Sequence, residues 1–198
     1  RIGILGDIGS GKSFIAKSFG YPVFNADKEV AVLYKKNIKI YKKLKKKLPK
    51  YFDVFPINKK QVSHAILDKK DNLRKIIKVI HPEIKKKMNN FLIENKKKKL
   101  VILDIPLLLE NKINKNNDIL IFVSAKKNSI LRRLKKRKNF NHKLLEKFKN
   151  IQLSLDYKKK KSTFIIKNDF TKKTVLRYVK NIVKKVLNER NSFRYWNN

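Results

Sequence analysis

Apolar residues along this chain fall into short runs, separated by longer stretches in which they recur every three or four positions. The runs IGIL, YPVFNAD, LVILDI, DILIFV and STFIIKND have the length and boundaries of buried strands. Because helically patterned stretches lie between them, the order predicts βαβ crossovers and a parallel sheet of at least five strands. The stretch from Asp27 to about Asn95 is too long for a single crossover and predicts a mostly helical insertion, interrupted by LPKYFDVFP, between the second and third strands. NSILRRLKKRKNFNHKLLEKFKNIQLSLDYKKKK predicts a charged helix, a turn near Asn139 to Asn141 and another helix, a segment suited to a mobile lid. Val175, Val179, Ile182 and Val186 share one face of a final helix that should pack on the sheet. The tail NERNSFRYWNN is expected to be loose, with Phe193 and Trp196 available to dock. The chain has no internal repeats, only lysine-biased tracts such as KKLKKKLPK and ENKKKKL.

At 198 residues the chain is long enough for one good core and a small inserted lobe. It has no run of about 18 apolar residues and no apolar signal segment at its start, so neither a membrane nor secretion is expected. Arg1 in place of Met is expected to leave a few native residues upstream. With no cysteine there can be no disulfide and no cysteine-ligated metal, and a cytoplasmic location is the simplest expectation. A formal net charge of +38 would ordinarily suggest nucleic acid. Yet the chain carries 45 lysines and only eight arginines, the lysines are dispersed, and Lys, Asn and Ile share A/T-rich codons. The composition therefore predicts a solvated lysine coat, with nonspecific nucleic-acid affinity at low salt and no specific nucleic-acid partner.

The chemistry begins at GILGDIGSGKSF. Gly6, four residues, then Gly11, Lys12 and Ser13 match the phosphate-cradling pattern G-x-x-x-x-G-K-[ST], between an apolar run and the helical spacing of Phe14, Ile15 and Phe19. Glycines at 6, 9 and 11 let successive N–H groups point into one concavity, and the helix start adds partial positive charge. Lys12 is then placed to reach β- and γ-phosphates, and the Ser13 hydroxyl to coordinate Mg²⁺. Asp27 follows the second strand, where a carboxylate can accept the proton of an alcohol as a phosphoryl group arrives; capping the next helix is its alternative role. Asp104 ends LVILD and either holds a Mg²⁺-bound water or hydrogen-bonds within the fold.

IGILGDIGSGKS, NAD, IIKVIHPEI, DIPLLLE, RRLKKRK, IQLSLDYK and FIIKND, in that order over nearly the whole chain, resemble the dephospho-coenzyme A kinase family. HPEI followed by DIPLLLE after a phosphate loop is the specific part of the match. The resemblance implies a three-layer αβα P-loop fold: a central five-stranded parallel sheet in residues 1–27 and 96–198, a helical CoA lobe at 28–95 and a lid at 133–160. It implies transfer of the γ-phosphate of ATP, with Mg²⁺, to the ribose 3′-hydroxyl of dephospho-CoA, by a monomer or weak homo-oligomer. Gly9, Ser10, Gly11, Lys12, Ser13, Phe14 and Asn168 would bind ATP. Lys12, Asp27 as general base and the lid residue Arg137 would be catalytic, with Arg133 one turn earlier assisting. His81, next to Pro82, would meet dephospho-CoA together with Asp27, Pro106 and Leu107, the last two in the Pro106-to-Glu110 stretch PLLLE; a satisfied buried histidine is its alternative reading.

The chain also departs from the family pattern. Asp7 stands where Gly is usual, Phe14 where Thr is common, Asn25 at the first Asp of a frequent D-x-D, and Ala31 where an Arg is common; Lys28 or Lys35 are candidates to replace that arginine. Two competing readings remain at this stage: a nucleoside, nucleotide or shikimate-type kinase on the same scaffold, and a basic nucleic-acid-binding protein with a vestigial phosphate loop.

Overall fold

The computed structural model describes residues 1–138 and 140–195, with side chains described through residue 188. The five apolar runs fold as β1 (Ile2–Gly6), β2 (Val23–Asn25), β3 (Ile102–Asp104), β4 (Ile119–Ser124) and β5 (Phe164–Lys167). They form one sheet in the order β2-β3-β1-β4-β5. β1 runs parallel to both neighbours, with Ile2 facing Ile102 on one side and Ile119 to Val123 facing Ile2 to Gly6 on the other; β4 and β5 are also parallel. Every residue of β1 is buried, as a central strand covered on both faces requires. Since chain order reverses on either side of β1, the loop leaving β1 emerges where parallel sheets hold their ligands.

Compactness divides the chain into two units: residues 1–23, 98–138 and 153 onward, and residues 24–97 with 139–152. The first unit holds the sheet core. Ile2, Ile4, Ile102, Ile121 and Ile166 pack with Ile15 and Ala16 of α1 (Lys12–Ser18), and with Val175, Val179, Ile182 and Val186 of α9 (Lys172–Tyr195). Each aliphatic side chain so buried contributes about 1.5–3 kcal/mol. Gly3 allows a close approach, because a Cβ there would sit 2.6 Å from Leu108 and 2.9 Å from Leu120. Its missing side chain therefore seats the turn after β3 directly on β1.

The second unit is helical: α2 (Ala26–Lys36), α3 (Ile38–Lys47), α4 (Lys59–Asp68), α5 (Asn72–Glu94) and α7 (His142–Lys149). Asparagine side chains start four of these five helices, Asn25, Asn37, Asn58 and Asn141 each accepting a backbone N–H. Lys147 of α7 donates to the Leu67 carbonyl at 3.2 Å and ties that helix to α4. Between β4 and β5 the sequence predicts two helices, whereas the structure has three: α6 (Lys127–Lys135), α7 and α8 (Leu155–Lys160). The extra break falls at Ser154, whose hydroxyl accepts the Tyr157 N–H at 3.2 Å and starts α8 anew. Asn139, the side chain of Phe193, and Trp196, on which the predicted turn and tail docking partly rest, lie outside the described residues. Among the described residues no helix is long and apolar enough to cross a membrane.

Candidate active site

The loop after β1 reaches α1 through glycines with left-handed backbone. Gly11, at φ 95°, precedes Lys12, and a Cβ there would sit 2.5 Å from the Asn168 amide nitrogen, so both conformation and space demand glycine. Lys12 curls back over the loop: its Nζ donates to the carbonyls of Gly6 at 3.1 Å and Asp7 at 2.7 Å. The ammonium is thereby held at the mouth of the loop. Asp7 turns its carboxylate onto the Ile8 N–H at 2.7 Å, so its charge is spent on the loop's own backbone. Ser10 is fully buried, with its Oγ unpartnered; Ser13 and Phe14 are exposed on the first turn of α1, and the Phe14 N–H is used by the Gly11 carbonyl. Gly9 faces Ile130 and Leu134 of α6.

Asn168, just after β5 and buried, braces this loop from outside. Its Nδ2 donates to the Ser10 carbonyl at 2.8 Å and its Oδ1 accepts the Phe170 N–H at 2.8 Å. The second bond holds Phe170 at φ 68°, a left-handed conformation costly for a large side chain. The Phe170 ring thus stands beside Gly11, and the Arg133 guanidinium lies over it, 4.5 Å from its centroid. The sequence signalled Asn168 and Arg133 but not Phe170; an Asn two residues before the ring, able to form an Asx turn, is the signal that could have found it. Arg137 sits exposed in the turn after α6, its N–H closing onto the Leu134 carbonyl at 3.0 Å.

Asp104 is buried at the end of β3. Pro106 and Leu107 follow it, half-buried, in a turn stabilised by N–H bonds from Asn111 and Ile113 to the carbonyls of Leu107 and Leu108. The turn ends at Glu110, which pairs with Lys158 at 2.7 Å. The structure therefore gathers the phosphate loop, Asn168, Phe170 and Arg133 by direct contact, with Asp104 and its turn at the end of the strand beside β1.

Two expected residues belong to the helical unit. Asp27 lies exposed in the first turn of α2, and the capping role open to it is carried by Asn25, whose Oδ1 accepts the Lys28 N–H at 2.8 Å. Lys28, Ala31 and Lys35 are exposed along the same helix. His81 lies mid-way along α5, where Pro82 removes one helical donor. Its Nε2 is buried without a hydrogen-bond partner, and burial, then the Lys85 charge one turn on, holds the ring below the ordinary histidine value.

The family model for dephospho-CoA kinase matches residues 1–174. A dephospho-CoA kinase of Wolbachia sp. subsp. Brugia malayi (strain TRS) is 35% identical over 187 residues, covering 92% of this chain and 95% of that protein. The crystal structure of TT1252 from Thermus thermophilus superposes with a TM-score of 0.71 at 25% identity, over 95% of this chain and 96% of the other. For dephospho-CoA kinase from Campylobacter jejuni the TM-score is 0.61 at 22% identity, over 93% and 96%, a likeness of fold.

Proposed function

This chain belongs to the dephospho-CoA kinase family, and from that premise we propose the roles by which its residues move the γ-phosphoryl group of ATP to the ribose 3′-hydroxyl of dephospho-CoA. The observation that carries the proposal is the GDIGSGKS loop, folded after the central strand with Lys12 held at its mouth and Asn168 bracing its back. Residues Gly9 to Phe14 surround the phosphates, which take the loop's N–H groups other than those of Ser10 and Phe14, already closed onto the Asp7 and Gly11 carbonyls. Phe170 and Arg133, stacked beside Gly11, support the base end of the nucleotide.

The acceptor rests against Pro106, Leu107 and His81, whose unpartnered Nε2 is an acceptor for a substrate donor. Asp27 takes the proton of the 3′-hydroxyl as its oxygen bonds to the γ-phosphorus, and the bond from that phosphorus to the β-γ bridging oxygen breaks to leave ADP. Lys12 and Arg137 offset the charge that gathers on the migrating group and on the leaving oxygen. Mg²⁺, when bound, neutralises charge on the terminal phosphates. Ser13, and Asp104 through water, are the groups that would hold it. A cytoplasmic setting agrees with a chain that contains no cysteine. Incubation of the purified protein with Mg-ATP and dephospho-CoA, followed by chromatographic identification of the product, tests the proposal: CoA and ADP in equal amounts are expected, and ADP without CoA would overturn it.

A further inference from the structure

Glu110 and Lys158 form the most deeply buried ion pair described in the protein, with side chains 9% and 1% exposed. Lys158 sits in a run of four lysines, yet it alone of the four is buried. Its Nζ meets Glu110 Oε1 at 2.7 Å, and the same oxygen accepts the Leu153 N–H at 3.0 Å. Glu110 Oε2 is also buried and takes no hydrogen bond from the described residues. Stability alone is a poor reason for such a pair, since apolar residues of similar volume often serve a core as well or better.

Its place in the chain supplies a better reason. The backbone passes between the two compact units four times, at 23–24, 97–98, 138–139 and 152–153. Leu153 is the first residue after the last of these passages, and Glu110 holds its N–H. At its other end Glu110 belongs to the turn of Pro106 and Leu107, which Leu108 seats against Gly3 of β1. One carboxylate thus joins the acceptor-side turn to the point where the 139–152 segment, fastened to α4 through Lys147, returns to the sheet unit.

We propose that Glu110 is a positioning residue which, through Leu153 and Lys158, sets the exit point of the 139–152 segment according to the state of the acceptor-side turn, and so makes phosphoryl transfer depend on bound acceptor. The proposal rests on the kinase reading. It explains why a charged pair, rather than an apolar one, is buried here: only an oxygen acceptor can hold both the Leu153 N–H and the Lys158 ammonium. Without the pair, the fold keeps both units but loses the fixed link between the turn and the passage.

The test uses Glu110→Gln, which keeps volume and one acceptor oxygen, and the double variant Glu110→Leu with Lys158→Met, which leaves no unpaired buried charge. For each, the Michaelis constants for ATP and dephospho-CoA are measured, together with ADP release without acceptor relative to CoA formation with it. The double variant should melt cooperatively and keep its ATP constant within about twofold, while its dephospho-CoA constant rises about tenfold and acceptor-free ADP release grows about fivefold, as expected when a positioning contact slips. Glu110→Gln should fall between the two. Wild-type constants and an unchanged ratio in a folded double variant would overturn the proposal. Hydrogen exchange at the Leu153 amide gives a readout independent of turnover: about tenfold faster exchange is expected in the double variant than in the wild type, and equal exchange would also overturn it. A wild-type protein that makes no CoA, yet shows the exchange difference, would instead sink the kinase reading and leave the structural link in place.

Discussion

Lys12 shows how much of the chemistry rests on single side chains. Its ammonium is already gathered onto the Gly6 and Asp7 carbonyls, so the proposed move to phosphate exchanges two loop contacts rather than ordering a free chain. Lys12→Ala and Arg137→Ala should each lower kcat by about 10²–10³-fold, and by more than they weaken dephospho-CoA binding, because the proposal has both residues act on charge formed in the transition state; an unchanged kcat in steady-state kinetics would remove the residue from the mechanism. Asp27→Asn should retain ATP affinity in a binding titration while turnover falls about 10²–10⁴-fold, and because Asn25 caps α2, helix stability should hardly change. His81 adds a pH signature. Its ring is held below the ordinary histidine value, so as pH falls the unfolded chain takes up the proton first, and the contribution of the neutral ring, full above about pH 6.5, is lost below it. Melting temperatures should therefore drop between pH 7.5 and 5.5, and His81→Gln should flatten that drop; parallel curves for the two proteins would contradict it.

At the scale of elements, the strands were readable because each is a short β-branched run between turn signals, and the last helix because Val175, Val179, Ile182 and Val186 repeat at helical spacing. The break between α7 and α8 was not, since the Ser154 cap competes with a lysine-rich stretch of good helix formers that carries no other stop signal. The burial of Lys158 was equally illegible: its partner Glu110 is distant in sequence, and neighbouring lysines share its pattern while facing solvent. In the active site the phosphate loop could be read outright, because the motif states its own geometry. The bracing of that loop by Asn168 could not, because it depends on β5 lying beside β4 at the matched register. Asn168→Ala leaves the Ser10 carbonyl and Phe170 N–H without their partner and should destabilise the protein by about 1–3 kcal/mol and raise the Michaelis constant for ATP, as thermal melts and kinetics would register. A variant with wild-type melting and ATP dependence would show that the brace is dispensable.

At the scale of the whole molecule, one compact unit is the sheet core with the phosphate loop, and the other is helical and carries Asp27 and His81. The net charge of +38 is built mostly from lysine. Dispersed lysines bind polyanions weakly and give them up to salt, so fluorescence anisotropy with a random DNA duplex should show binding near 50 mM salt that is lost by about 200 mM; binding that persists would point to a specific nucleic-acid partner. The family membership settles the reaction class. The most direct test is coupled ADP release from the purified protein with Mg-ATP, comparing dephospho-CoA with AMP, adenosine, shikimate and no acceptor. The account predicts stimulation by dephospho-CoA alone, with CoA as the product; equal stimulation by another alcohol, or none by any acceptor in protein that binds ATP, would contradict it.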